Sequence, residues 1–304
     1  MKNESKYLIV IAGPTAAGKS DLAISLAEQL ATQIISADSR QIYKELNIGT
    51  AKPSEHDLER VKHHFINELS VIQPFSAAQF ESQALSRLTT MFRNQNLAIL
   101  CGGTGLYINA LCFGLDEIPD VNPDIRQHFD LLFESEGIEV LQKLLRKQDP
   151  EYAQMVDMQN HRRLVRALGV MEVTGKPFSS FLGATPHTRF FKIIRILLTE
   201  DRTVLYKRID DRVDQMILRG LEEEVRGLQH YRDLQALQTV GYQEWVPYFE
   251  GNIDREEVIR LIKRNSRRYA KRQMTWFRKH GEWASFSRRD TERIKSYISS
   301  ITAG

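Results

Sequence analysis

Residues 13–20 read Gly13-Pro14-Thr15-Ala16-Ala17-Gly18-Lys19-Ser20, a complete G-x-x-x-x-G-K-[ST] phosphate-binding arrangement. The glycines let the backbone turn tightly and aim successive N–H groups at phosphate oxygens. Lys19 adds a full positive charge, a following helix N-terminus adds a partial one, and the Ser20 hydroxyl suits a magnesium ion. This spacing predicts a site for a diphosphate or polyphosphate. Three readings stand side by side for Asp38, in Ser36-Ala37-Asp38-Ser39: a magnesium ligand, a general base facing an acceptor group, or the N-cap of a helix. Gly102-Gly103-Thr104-Gly105-Leu106-Tyr107 places three glycines where backbone must approach a ligand or another backbone closely. Thr104 and Tyr107 are expected to face the mouth of the phosphate loop.

These residues need elements to hold them. The run Tyr7–Ala12 is unbroken and apolar, as in a strand buried on both faces, and Leu22, Leu26 and Leu30 then mark one face of a helix. Strand, loop and helix are the context that a phosphate loop requires. Further strands are expected at Gln33–Ser36, His64–Glu68, Leu97–Cys101 and Lys192–Leu198, with helical patterns between most of them. That alternation predicts an α/β fold, a mostly parallel sheet flanked by helices, with ligands beyond the carboxyl ends of the strands. From Asp116 to Pro186 the pattern becomes helical, punctuated by Pro119, Pro123, Pro150 and Pro177. We read residues 116–186 as a helical insertion into a core formed by 1–115 and 187–304. After the strand at Lys192 the chain is expected to stay helical to its end. His63 and His64, adjacent on a strand, would point to opposite faces and share no metal.

Charge is unevenly distributed. The 304 residues carry a net +3, and residues 1–110 are balanced at ten basic and ten acidic. Residues 255–289 carry twelve basic and three acidic side chains, and the stretch 260–279 holds nine Lys/Arg without an acid. Arg260, Arg264, Arg267, Arg268, Lys271 and Arg272 fall on one side of a helix there. Solvated helices ordinarily mix signs, so a single-sign stripe beside Tyr269, Trp276 and Phe277 predicts contact with a polyanion such as RNA. His161-Arg162-Arg163 with Arg166 repeats the theme inside the insertion. With 42% hydrophobic and 27% charged residues the composition is that of an ordinary globular protein. No apolar stretch reaches the length of a membrane span, and Cys101 and Cys112 offer no disulfide framework, so a reducing cytoplasm is expected. No oligomerisation signal stands out, and a monomer is expected.

Taken together, Gly13–Ser20, Asp38-Ser39-x-Gln41-Ile42-Tyr43, Gly49-Thr50-Ala51-Lys52-Pro53, Gly102–Tyr107, Val240-Gly241-Tyr242 and Lys271–Arg278 resemble the tRNA dimethylallyltransferases, the isopentenyltransferase (IPP transferase) family. The matches run in order over nearly the whole chain. The phosphate loop is widely shared, whereas the Asp38 and Lys271–Arg278 blocks are specific to this family. The resemblance implies a P-loop NTPase-like sheet with a helical insertion domain that clasps an anticodon stem-loop. It implies transfer of a dimethylallyl group from dimethylallyl diphosphate to the exocyclic amine of the adenine 3′ of the anticodon in tRNA. Gly13, Pro14, Thr15, Ala16, Ala17, Gly18, Lys19 and Ser20 would then hold the donor's diphosphate, with Ser20 carrying Mg2+ jointly with it. Thr15 and Arg212 would contact the diphosphate, and Asp38 would take the proton from the attacking amine. Positions implied to touch tRNA are Asp38, Ser39, Arg40, Gln41, Thr104, Arg126, Gln159, Asn160, His161, Arg162 and Arg163. Gln238, Thr239, Val240, Gly241, Tyr242, Gln243, Lys271, Arg272, Gln273, Met274, Thr275, Trp276, Phe277 and Arg278 complete that set. The chain departs from the family pattern at Ala17, where many members have serine, and at Ser20 in place of threonine. Arg40 and Gln243 occupy variable family positions. The Cys/His zinc finger of eukaryotic relatives has no counterpart, which implies a bacterial-type member.

Three rival functions share some of these parts. A small-molecule kinase would use the loop and sheet but has no need of the basic segment. A transferase prenylating free adenine nucleotides would not need either basic cluster. A non-catalytic RNA-binding protein would not need Lys19, Ser20 and Asp38 intact.

Overall fold

A computed structural model describes residues 5–183 and 188–302. The chain forms two compact units, Met1–Cys112 with Arg189–Gly304, and Phe113–Thr188. The expected return from the insertion at residues 186–187 lies outside the described residues.

The first unit is built on six parallel strands, β1 (Tyr7–Ala12), β2 (Ile34–Ala37), β3 (His63–His64), β4 (Leu97–Gly102), β5 (Lys192–Thr199) and β6 (Ala284–Ser287), in the order β3-β2-β4-β1-β5-β6. β1 pairs with β4 from Tyr7↔Leu97 to Ala12↔Gly102 and with β5 from Tyr7↔Lys192 to Ala12↔Leu197. Its alternate residues enter separate apolar cores, Leu8, Val10 and Ala12 on one face and Tyr7, Ile9 and Ile11 on the other. Burial on both faces explains the unbroken apolar run. Helices α1 (Lys19–Gln29), α2 (Glu55–Arg60), α3 (Ala77–Met91) and α4 (Gly105–Phe113) intervene between the strands of the first half.

Two expectations of the sequence are corrected here. The strand expected at His64–Glu68 is only His63–His64, because Phe65 and Asn67 take left-handed backbone conformations (φ 64° and 57°) incompatible with extension. The chain after Lys192 is not helical to its end: β6 adds an edge strand beside β5, with Ile196↔Ala284 to Thr199↔Ser287 in register. Ala284-Ser285-Phe286-Ser287 is too short and too polar to announce itself by periodicity.

The second unit contains α5 (Pro123–Glu136), α6 (Ile138–Gln148), α7 (Pro150–Met155) and α8 (His161–Thr174) around its own core, which includes Phe129, Leu141, Leu145, Leu164 and Leu168. Asn122, Asp149 and Asn160 cap α5, α7 and α8 with their side chains. Pro123 and Pro150 each stand at a first helical position, where a missing N–H costs nothing. Back in the first unit follow α9 (Arg202–Leu218), α10 (Leu221–Gly227), α11 (Val246–Phe249), α12 (Arg255–Lys279) and α13 (Thr291–Thr302).

Candidate active site

The phosphate loop leaves β1 at Gly13 (φ 153°) and enters α1 through Gly18 in the left-handed region (φ 85°). Gly13 allows close passage of β5, since a Cβ there would lie 2.8 Å from the Leu198 carbonyl oxygen. Half-buried Lys19 folds back to donate to the Pro14 carbonyl at 2.6 Å. Burial pushes its ammonium pKa down to about 8. Ser20 is exposed on the first turn of α1.

Asp38 follows β2 directly. Its Oδ1 accepts the backbone N–H groups of Arg40 (2.9 Å) and Gln41 (3.3 Å). No helix begins there, so the carboxylate closes a turn and is not a helix N-cap. Oδ2 has no hydrogen-bond partner among the described residues. Gln41 ties this turn to the next loop, donating through Nε2 to the carbonyls of Thr50 (3.2 Å) and Ala51 (3.3 Å). Arg212, on α9, reaches the same loop and donates to the Thr50 carbonyl at 3.4 Å.

The glycine turn after β4 serves backbone approach. A Cβ at Gly102 would lie 2.2 Å from the Ala37 carbonyl oxygen, and one at Gly105 would enter the Trp276 ring. Thr104 Oγ1 accepts the Ser39 N–H at 3.1 Å, which joins this turn to the Asp38 turn. Tyr107 does not face the mouth: it is buried and stacked on Phe80, with centroids 4.4 Å apart. Gln273 of α12 is the staple between the two glycine turns. Its Oε1 accepts the Thr15 N–H at 2.9 Å, and its Nε2 donates to the Gly103 carbonyl at 3.0 Å.

Two cavities meet at these residues. One is lined by Lys19, Ser20, Ser36, Gln41, His63, Ile66, Cys101 and Gly103. The other is lined by Arg40, Gly49, Thr50, Thr239, Val240 and Gly241. Thr15, Asp38, Arg212 and Tyr269 line both. Burial pushes the Cys101 thiol up to about 12, which keeps it protonated and unreactive. Burial likewise raises the Tyr269 phenol to about 12, so it stays a neutral hydroxyl. His63 lines the first cavity and bonds through Nδ1 to the Val61 carbonyl at 2.8 Å.

The wall of the second cavity rests on a residue that the sequence did not single out. Glu224, on α10, accepts the N–H groups of Asn47 (3.1 Å), Ile48 (2.8 Å) and Gly49 (3.1 Å), and the Tyr242 hydroxyl at 2.7 Å. The Tyr242 ring occupies the space a Cβ on Gly49 would fill. Nothing in Glu222-Glu223-Glu224 distinguishes the third glutamate before the fold is known.

The basic helix is divided by pairing. Arg260 pairs with Glu257, Lys263 with Asp214 and Arg267 with Asp210, the last two acids coming from α9. Arg268, Lys271, Arg272, Thr275 and Arg278 remain exposed on one stripe, and none of the four cations has an acidic partner among the described residues. Phe277 (0% exposed) and Tyr242 (1%) are core side chains, and Gln273 is buried behind the stripe. Met274 and Trp276 are half-buried. Gln238 and Gln243 are exposed beside the second cavity's Thr239–Gly241 wall, and Thr239 accepts the N–H groups of Tyr242 and Gln243, both at 3.2 Å.

In the second unit, Gln159, Arg162 and Arg163 are exposed where α8 begins, with Asn160 accepting the Arg163 N–H at 3.3 Å. His161 stacks on Phe133 with centroids 4.5 Å apart. Arg126 lies on α5, 3.8 Å from Asp130.

Sheet order, loop and helix define the class: a phosphate-loop α/β protein. The model of the IPP transferase family matches residues 41–280. A tRNA dimethylallyltransferase from Cytophaga hutchinsonii is 47% identical over 294 residues, 97% of each chain. One from Christiangramia forsetii is 47% identical over 298 residues, 97% of this chain and 98% of its own. Among solved structures, the tRNA isopentenylpyrophosphate transferase of Bacillus halodurans aligns with a TM-score of 0.72 at 37% identity, covering 98% of this chain and 97% of its own. A eukaryotic dimethylallyltransferase acting on tRNA gives a TM-score of 0.79 at 28% identity, over 97% of this chain and 78% of its own. This chain belongs to the IPP transferase family.

Proposed function

We propose that this protein transfers a dimethylallyl group from dimethylallyl diphosphate to the exocyclic N6 amine of the adenine 3′ of the anticodon in tRNA. The products are N6-dimethylallyladenosine in tRNA and free diphosphate. One observation carries the reading: Asp38, with one carboxylate oxygen uncommitted, stands in the wall shared by two cavities, and only one of these contains the phosphate-loop Lys19 and Ser20.

In this reading the donor enters on the Lys19 side, its diphosphate cradled by Gly13–Ser20 with Thr15 and Arg212. The adenine enters on the side walled by Gly49, Thr50 and Thr239–Gly241. As the N6–C bond forms, the C–O bond to diphosphate breaks and the amine loses a proton to Asp38 Oδ2. The exocyclic amine is a weak nucleophile because its lone pair is delocalised into the ring, so a positioned carboxylate assists as charge develops on nitrogen. Loop N–H groups, Lys19 and Arg212 face the negative charge that accumulates on the leaving diphosphate. A base within an anticodon loop must leave its stack to reach such a cavity.

No group of three His, Cys, Asp or Glu side chains suited to a metal occurs among the described residues. The donor set for magnesium would therefore be the Ser20 hydroxyl and diphosphate oxygens, hard oxygen ligands that fit this ion. Bound there, it would neutralise charge on the leaving group.

For the RNA we assign Arg268, already in the basic stripe, with Lys271, Arg272, Thr275 and Arg278 as phosphate contacts. Ser39, Arg40, Thr104, Gln238 and Gln243 border the acceptor side, and Gln41, which lines the Lys19 cavity, braces the Asp38 turn between the two. Gln159–Arg163 and Arg126 are the contribution of the helical insertion. Gln273, Phe277 and Tyr242 act by holding these surfaces in place. No helix among the described residues is long and apolar enough to cross a membrane. A cytoplasmic monomer is the working state we propose, checked by light scattering with and without tRNA.

The deciding assay supplies radiolabelled dimethylallyl diphosphate with either unmodified tRNA or free adenine nucleotides. Label in tRNA is expected. Label in the nucleotide alone would change the acceptor, and label in neither would reopen the kinase reading.

A further inference from the structure

A third cavity lies along the phosphate loop, lined by Gly18, Lys19, Ser20, Lys52, Arg212 and Arg288 among others. Three of its four cations each hold a hydrogen bond within the protein. Lys19 donates to the Pro14 carbonyl, Arg212 to the Thr50 carbonyl, and Lys52 to Asn47 Oδ1, at 2.6, 3.4 and 3.0 Å. Arg288 has no hydrogen bond or ion pair among the described residues.

The sheet and the turn place the Arg288 backbone, and its side chain is exposed. Arg288 follows β6, whose Ser287 is in register with Thr199, and β5 in turn aligns Leu197 with Ala12, the residue before the loop. The turn after β6 and the phosphate loop thus lie at the same edge of the sheet. The turn is locked by Ser287 N–H to Asp290 Oδ2 (2.8 Å) and Asp290 N–H to the Ser287 carbonyl (3.0 Å). The aliphatic part of Arg288 lies across Gly18: a Cβ built there would be 3.3 Å from Arg288 Cδ and 3.5 Å from its Cβ. Asp21 and Asp57 line the same cavity without pairing with it, and Asp290 pairs with Arg293.

We infer that Arg288 is a diphosphate ligand, a permanently charged fork that completes the cradle from the β6 edge of the sheet. The inference rests on the reading of the loop as the donor's diphosphate site. A guanidinium presents paired donors to phosphate oxygens and keeps its charge at any working pH, which Lys19 does not. Diphosphate is on the donor before transfer and free after it. The contact therefore strengthens ground state and transition state alike, and its loss raises the donor KM more than it lowers kcat.

The test is calorimetric titration of the intact protein with inorganic diphosphate in magnesium buffer. Arg288→Ala is expected to weaken binding about ten-fold, the loss of one charge-assisted contact. Arg288→Lys is expected to recover part of that loss. Arg289→Ala, one residue along the same turn, is expected to stay within about two-fold and so exclude a bulk-charge effect. In turnover, Arg288→Ala should raise the KM for dimethylallyl diphosphate while the KM for tRNA holds. Equal diphosphate affinity in Arg288→Ala and the unaltered protein would overturn the assignment alone. Failure of the unaltered protein to bind diphosphate would overturn the cradle itself, and this inference with it.

Discussion

Asp38 divides its work between two oxygens. Oδ1 holds the turn by accepting the Arg40 and Gln41 N–H groups, and Oδ2 is the oxygen proposed as the base. Asp38→Asn is therefore the informative substitution, because an amide oxygen can still close the turn while the base is removed. It should lower kcat by about 10²–10⁴-fold and leave diphosphate affinity unchanged in titration. A loss of affinity to match would make Asp38 a binding group. Lys19 gives a second prediction. With its pKa near 8, the free protein's ammonium is increasingly neutral above that pH, so an anionic donor binds more weakly. The ratio kcat/KM for donor should fall on the alkaline side with a midpoint near 8, and kcat should fall only at higher pH, because bound diphosphate stabilises the ammonium. A flat profile from pH 7 to 9 would contradict the burial assigned to this side chain.

At the level of elements, α12 presents different faces to different tasks. Its outer stripe is free cation, one flank is neutralised by Asp210 and Asp214 of α9, and its inner face carries Gln273 between the Thr15 N–H and the Gly103 carbonyl. Neutralising Arg268, Lys271 and Arg272 together should weaken tRNA binding and reduce the salt slope by about 2. Arg267→Gln, whose charge is already paired, should reduce it far less. Gln273→Met strands a buried donor and acceptor and should cost about 2 kcal/mol in denaturant unfolding, with a raised donor KM. The stripe was legible because charge needs only composition and a helical period. The staple was not, since a glutamine amid cations looks like another surface group until the partners 258 and 170 residues away are known. The same limit hid Glu224, whose backbone partners at residues 47–49 lie far from it in sequence. Tyr107 and Phe277 were misread in the opposite direction, as aromatic side chains in a motif that proved to be core.

Over the whole molecule, the two units keep separate apolar cores, and the phosphate loop, Asp38 and both cavities draw all their lining residues from the first. Leu168→Ala, in the core of the second unit, should destabilise that unit by about 2–5 kcal/mol. Diphosphate affinity should be unaffected in a titration below its melting point, and a parallel loss would mean the units are energetically one. The α/β class, the parallel sheet and the helical insertion were legible because buried strands and amphipathic helices carry their own periods. The edges of the sheet were not, because β3 has two residues and β6 four polar-rich ones.

The central strand also sets a timetable. β1 is made well before its two neighbours, which are completed only at Gly102 and Thr199, and the Thr15 N–H finds its partner only at residue 273. On the ribosome the helices of residues 123–174, whose contacts are local, can close before the sheet around β1 does. A chain stalled before Gln273 carries the complete loop sequence without its staple. The motif is written 258 residues before the side chain that finishes it.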